Sequence, residues 1–232
     1  FTELALDHGA ELRKEHKLTS LDLKERTFAI QNCEKSFVQK FGTLIAADGP
    51  NSKVFPLLNP SIKRKPWYGV QAVISGNFDK SMYEAYLNNS FAKGFFAWVV
   101  PESDTSAVVG LAVKERASFH FQQFMKKRFG SGFKKSVTSY RGGLIPLHYR
   151  KATCQQGNVY LVGDAGGHVK ATTGGGIIPG MKAAQALVES LKSGKSYDTL
   201  WRKATGFNLY SHLKIRQTLD KFSDKDYNNL VK

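Results

Sequence analysis

Asn158-Val159-Tyr160-Leu161-Val162, followed by Gly163-Asp164-Ala165-Gly166-Gly167, decides the fold. A continuous apolar run reads as a buried strand, and the glycines end it in a turn. Just downstream, the loop Thr173-Gly174-Gly175-Gly176 opens a helix. The spacing puts Ile177, Met181, Ala184, Leu187, Val188 and Leu191 on one apolar stripe, with Pro179 in the first turn and Gly194 past the end. A strand that delivers a carboxylate and glycines at its carboxyl end marks the place where open α/β sheets bind ligands.

A second corner of the same kind lies upstream, where Thr43-Leu44-Ile45-Ala46-Ala47 runs into Asp48-Gly49-Pro50-Asn51-Ser52. In each corner the carboxylate can accept hydrogen bonds from sugar or ribityl hydroxyls. The glycines let the backbone approach a pyrophosphate, and a helix start offers N–H groups to an anion. Alone, either motif is most often only a turn; the pair together with the glycine loop points to a nucleotide-type ligand. Residues 1–14 read as the end of an amphipathic helix, and Lys17–Asp22, Thr27–Asn32 and Ser36–Gln39 as an antiparallel meander. Trp67–Phe78, Met82–Leu87, Phe95–Val100 and Ala107–Val113 are strand-like, rich in aromatic and β-branched residues. A helix is expected over Ala117–Phe129, closed by Gly130, then a strand pair from Ser136 to Leu147. The tail from Tyr197 to Lys232 is expected to be helical, with Tyr197, Leu200, Trp201 and Ala204 on one face. The class is α/β: a partial Rossmann-like domain (1–60 and 151–195), an inserted antiparallel-sheet domain (61–150) and a helical C-terminus (196–232).

Composition narrows the function. A chain of 232 residues, 41% hydrophobic and 23% charged, can bury a core and is neither disordered, collagenous nor a disulfide scaffold. Its longest uncharged run, Pro66 to Phe78, is thirteen residues, short of a membrane span. No cleavable signal pattern opens the chain, whose first residue is Phe1. Cys33 and Cys154 are expected to be two free buried thiols of a cytoplasmic protein, with one disulfide as the alternative. The six histidines form no metal-binding pair, so no metal is expected. The net charge of +15 suits nucleic acid, an acidic membrane surface or a phosphorylated substrate, and equally a merely solvated surface. The basic residues are dispersed, with short clusters at Lys63-Arg64-Lys65 and Lys126-Lys127-Arg128.

Three segments, in matching order and spacing, resemble the FAD-dependent geranylgeranyl reductase family, within the flavoprotein group that includes aromatic hydroxylases. Residues 45–52 are similar to that group's DG motif and residues 161–177 to its GD motif with the adjoining flavin loop. Phe96-Ala97-Trp98-Val99-Val100-Pro101 is similar to the aromatic-x-Trp-x-x-Pro strand of the prenyl reductases. The resemblance implies FAD as cofactor, with Asp48 and Gly49 near the pyrophosphate, Asp164 on the ribityl chain and Gly163 and Ala165 lining the pyrophosphate. It implies that Thr173, Gly174, Gly175, Gly176 and Ile177 pass the isoalloxazine ring, the helix start supporting negative charge on the reduced flavin. Tyr86, Phe96 and Trp98 would wall an apolar slot for a prenyl chain, and serve equally as ordinary sheet core. The chain departs from the family at Phe55, where a basic residue is usual, at Ala171 in place of a proline, and at His168. His168 is a candidate proton donor beside the flavin or a loop-filling residue.

The family also carries a GxGxxG turn for the ADP half of FAD, and no such turn occurs here. The resemblance aligns Phe1 inside the family's chain, about a hundred residues along. The expectation is a fragment, one part of a split protein or a degraded sample, which binds FAD poorly alone and needs a missing N-terminal segment or partner chain. The leading expectation of function is reduction of C=C bonds in a prenyl lipid or prenyl diphosphate, with NAD(P)H or ferredoxin as electron donor and peripheral membrane contact aided by the charge. No nucleic-acid partner is expected on this reading. The alternatives are a flavin monooxygenase or hydroxylase on the same fold, and a basic lipid- or nucleic-acid-binding module without flavin.

Overall fold

Strand alternation and glycine stops shape the first of two units, Phe1–Ile45 with Gly157–Tyr160. The computed structural model describes residues 1–33 and 35–231. Helix α1 (Thr2–Asp7) is exposed throughout and shorter than the predicted 1–14, because Gly9 takes a φ of 87° and its N–H donates to Leu6 O. Strands β1 (Lys17–Asp22), β2 (Thr27–Gln31) and β3 (Ser36–Lys40) form the expected antiparallel meander, Leu21 facing Phe28 and Thr27 facing Lys40. Strand β4 (Leu44–Ala46) follows. Cys33 is exposed, so only Cys154 is the buried thiol that the composition led one to expect, and both are free.

The second unit comprises Ala46–Gln156 and Leu161–Lys232. After the short helix α2 (Phe55–Leu58) come β5 (Trp67–Ser75), β6 (Glu84–Tyr86), helix α3 (Asn89–Ala92), β7 (Ala97–Ser103) and β8 (Ser106–Val113). Helix α4 (Ala117–Phe129) and β9 (Val137–Ile145) complete the insert. The five strands form one antiparallel sheet in the order β6-β7-β8-β5-β9. Alternation sends Ala72, Ile74, Ala97, Val99, Val109 and Leu111 to one face, packed with Phe91, Phe121, Phe124 and Met125 of α3 and α4. Trp67, Phe95 and Ala112 gather on the other, with Phe96, Trp98, Ile145 and Leu147 against them. The predicted strand pair at 136–147 is one strand: Gly142 and Gly143 face Val70 and Gly69 in register and do not turn.

Strands β10 (Gln155–Gln156) and β11 (Val159–Leu161) lead to the glycine-rich turn. Helix α5 (Ile177–Ser193) ends at Gly194, in the left-handed conformation as expected. Its buried face is not the predicted stripe. Pro179, Ala183, Ala186, Leu187 and Ser190 are buried, while Ile177 is 79% exposed and Met181, Ala184, Val188 and Leu191 are exposed with it. Small residues let the helix approach closely, and a Cβ on Gly180 would stand 3.4 Å from the Gly163 Cα. The tail is α6 (Tyr197–Trp201), α7 (Phe207–Leu219) and α8 (Asp224–Val231). Tyr197 and Trp201 are buried as expected, but a wide π turn over Arg202–Gly206 advances the face by one residue, so Thr205 is buried and Ala204 is exposed.

Candidate functional site

The two predicted corners lie side by side. Val162 N–H donates to Ala46 O at 3.0 Å, joining the chain just before Asp164 to the chain just before Asp48. Gly49 and Gly163 have φ of 77° and 65°, a region side chains rarely enter. A Cβ on either would meet nothing within 4 Å, so the space in front of both turns is open. Gly49, Gly163, Asp164, Gly174, Gly176 and Ile177 line one cavity of about 600 Å³, together with Ala47, Met181 and Ala184. Helix α5 begins there without a side-chain cap.

The other predicted cofactor residues take supporting positions. Asp48 Oδ2 accepts the Lys53 N–H at 2.8 Å and so closes its own turn. Ala165 is fully buried beneath the second turn. Thr173 Oγ1 accepts the Gly175 N–H at 3.3 Å, shaping the glycine loop. Asp164 is half-buried, and its carboxylate has no hydrogen-bond partner among the described residues. Burial raises its pKa against the pull of Arg64. A Cβ on Gly176 would come 2.9 Å from Asp164 Oδ1, so only glycine lets the helix start lie this close to the carboxylate. A free acceptor, open glycine backbone and an uncapped helix start suit the hydroxyls and pyrophosphate of a flavin nucleotide.

Arg64, seen in the sequence only as part of a basic cluster, braces the site. Its Nη1 donates to Pro50 O at 3.0 Å, its Nη2 donates to Ala165 O, and its guanidinium stacks 3.6 Å from the Phe55 ring centre. One side chain thus ties the first corner to the second. Burial lowers its pKa, while Asp48 and Asp164 are among the groups that favour its charge. A lone Arg between two lysines gives no sequence signal for this. Also unforeseen, Thr172 Oγ1 and His212 Nδ1 of α7 lie 2.6 Å apart, pinning the other end of the glycine loop.

His168 is fully buried. Its Nδ1 accepts the Gly163 N–H at 3.2 Å, its Nε2 faces Cys154 Sγ at 3.8 Å, and its ring packs 4.7 Å from Trp201. Burial pushes its pKa down to about 3, with His148 and Arg202 adding to the effect. A ring held neutral and away from solvent is arranged to fix the Gly163 turn. Behind it, Tyr197 Oη donates to Leu161 O at 3.0 Å, and Asp198 Oδ1 accepts the Cys154 N–H and, at 2.8 Å, the Trp201 indole N–H.

The three aromatics predicted to wall a slot do not share a face. Tyr86 pairs with Ala97 and packs 5.1 Å from Phe124, on the α4 side, where it also donates to Glu84. Trp98 points to the opposite face, 5.7 Å from Phe96, which stacks on Phe95 at 4.7 Å. Tyr86 is therefore separated from Phe96 and Trp98 by the sheet itself, because successive strand residues point to opposite sides. On the Trp98 face, Ile145 reaches the glycine loop: a Cβ on Gly174 would lie 3.1 Å from Ile145 Cγ2.

Paired corners, glycine loop and inserted antiparallel sheet define the geranylgeranyl reductase-like class of fold. The solved structure of a geranylgeranyl bacteriochlorophyll reductase-like protein from Thermoplasma acidophilum superposes with a TM-score of 0.79 at 22% identity, covering 99% of this chain and 64% of that one. In sequence, the chain is a homologue of digeranylgeranylglycerophospholipid reductases. It is 29% identical to that of Methanocaldococcus jannaschii, over 85% of this chain and 56% of the relative. It is 27% identical to that of Methanosarcina acetivorans, over 99% of this chain and 62% of the relative. The chain thus spans less than two thirds of the length of these curated relatives. No protein-family model matches it.

Proposed function

We propose that this chain carries the flavin-ring and substrate portion of an FAD-dependent reductase that saturates C=C bonds of a prenyl lipid or prenyl diphosphate. The observation that carries the reading is the contact of Ile145 with Gly174, which joins the cavity at Asp164 to the apolar sheet face at Trp98. Asp164 would accept hydrogen bonds from the ribityl hydroxyls, and Gly49 and Gly163 would admit the pyrophosphate. Thr173 to Ile177 would flank the ring, where the start of α5 favours negative charge. FAD, once bound and reduced, supplies the hydride. Phe96 and Trp98 would bound the prenyl chain and exclude water, while Tyr86 supports the sheet from behind. His168 acts as a positioning residue, and the proton comes from water or another protein group. NAD(P)H or ferredoxin is the expected electron source. No helix among the described residues is long and apolar enough to cross a membrane, and the charge of +15 favours peripheral contact with an anionic lipid surface.

The test, on the chain supplied with the expected N-terminal segment, is a flavin titration followed by anaerobic turnover. Added FAD should lose fluorescence on binding. Reduced protein mixed with a geranylgeranyl lipid should then yield a product heavier by two hydrogens for each double bond saturated. Substrate-triggered oxygen consumption with hydroxylated product would establish a hydroxylase instead. Failure to bind FAD, with salt-dependent binding to anionic polymers, would leave a basic binding module.

A further inference from the structure

Trp98, Gly110, Gln71 and Arg141 face one another across β7, β8, β5 and β9, so their side chains share one face of the sheet. The next row on that face is Ala112, Gly69 and Gly143, and the row beyond holds Trp67 and Ile145. With almost no side chains in the middle row, the sheet carries a trough of about 370 Å³ between Trp98 and Ile145. Gly110 allows Trp98 to lie flat along its edge, since a Cβ there would fall 2.4 Å from Trp98 Cζ2. The trough opens at β9, the edge strand, where Arg141 stands exposed. Arg141 is the one charged residue lining the trough, and no carboxylate pairs with it among the described residues.

We infer that Arg141 anchors the anionic head group of an amphiphilic substrate whose hydrocarbon lies in the trough. The inference rests on the reductase reading and adds to it a head-group residue and a measure of length. Arg141 and Ile145 are four residues apart on one strand, about 13 Å. Ile145 touches the glycine loop, so a head fixed at Arg141 sets which part of the chain comes to rest beside Gly174. The apolar floor takes the hydrocarbon, and the guanidinium at its mouth can hold a phosphate or carboxylate in a bidentate grip that an ammonium cannot copy. A neutral head would forfeit that bond and leave the register of the chain loose.

The experiment measures equilibrium binding to the full chain by tryptophan emission, with geranylgeranyl phosphate, geranylgeraniol and inorganic phosphate as probes. Arg141→Gln removes an exposed charge, and a matching thermal midpoint checks that the fold is kept. Gly143→Val fills the trough at a position where a Cβ meets nothing within 4 Å and a strand favours a β-branched residue. The expected result is a roughly tenfold loss of affinity for geranylgeranyl phosphate in Arg141→Gln, equivalent to about 1.4 kcal/mol. Affinity for geranylgeraniol should be unchanged, partial recovery should appear in Arg141→Lys, and Gly143→Val should lose both prenyl ligands. Equal affinity of wild type and Arg141→Gln for geranylgeranyl phosphate overturns the anchor; if Gly143→Val still weakens both ligands, the apolar trough and the reductase reading stand. Failure of either prenyl ligand to bind, or indifference to Gly143→Val, overturns the anchor and the substrate slot together. Inorganic phosphate binding as tightly as the prenyl phosphate, with the same dependence on Arg141, overturns the inference in favour of a simple anion site.

Discussion

Acidification is expected to weaken this fold through His168. The unfolded ring titrates near 6.5 and the folded ring at about 3, because burial penalises the imidazolium. Between those values the unfolded chain binds more protons than the folded one. The contribution of His168 is therefore complete above about pH 6.5 and falls as the pH drops towards 3. Comparing proton binding in the two states, the step from pH 7 to pH 5 costs about 2 kcal/mol from this residue. The measurement is urea unfolding at both pH values for the wild type and for His168→Asn, whose amide oxygen can still accept the Gly163 N–H but does not titrate. The variant loses packing against Trp201 and is expected to be about 1–3 kcal/mol less stable at pH 7. Its further loss at pH 5 should be about 2 kcal/mol smaller than that of the wild type. The carboxylates act in both proteins and cancel in the comparison. An identical loss in wild type and variant would refute the account of a buried neutral ring.

Three further outcomes follow from single contacts. On the proposed flavin reading, Asp164→Asn should leave the urea midpoint nearly unchanged but weaken FAD binding about tenfold or more, measured by fluorescence quenching, since it would remove charge-assisted hydrogen bonds to the ribityl hydroxyls. Gly110→Ala should cost about 1–3 kcal/mol and change the tryptophan emission, because the new methyl occupies the place of the Trp98 ring; unaltered emission would contradict the flat placement of that ring. Arg64→Met should cost about 2–4 kcal/mol in urea unfolding by stranding the Pro50 and Ala165 carbonyls, and Arg64→Lys should restore only part of the loss.

Strands and glycine turns were legible in the sequence because their signals are local. The meander at 17–40, the strands of the insert and the two corners all show apolar runs bounded by turn residues, and the structure has each of them. Facing was less legible. On α5 the large apolar residues suggested the buried stripe, yet Ala183, Ala186 and Ser190 are inside with Leu187, and the close approach to the Gly163 turn is made by Gly180. The strand pair expected from Ser136 to Leu147 is a single strand, and its Gly142 and Gly143 line a trough, since nothing in a glycine pair tells a bend from a gap between side chains. Tyr86 looked equivalent to Trp98 by residue type, and strand pairing alone divides them. Arg64 was invisible, for its partners are backbone carbonyls that leave no trace in composition.

The brace at Arg64 also orders events in time. Its bonds reach 14 residues back, to Pro50, and 101 residues forward, to Ala165. Every pairing of the five-stranded sheet, by contrast, falls between Trp67 and Ile145. A ribosome adding about 5–20 residues each second takes some 5–20 s to travel from Arg64 to Ala165. The sheet has all its strands before the second corner is synthesised, and distant closures come late because their loop entropy must be met first. The cavity thus forms after the sheet, and a nascent chain cut off before Ala165 would hold every strand of the sheet without the second corner.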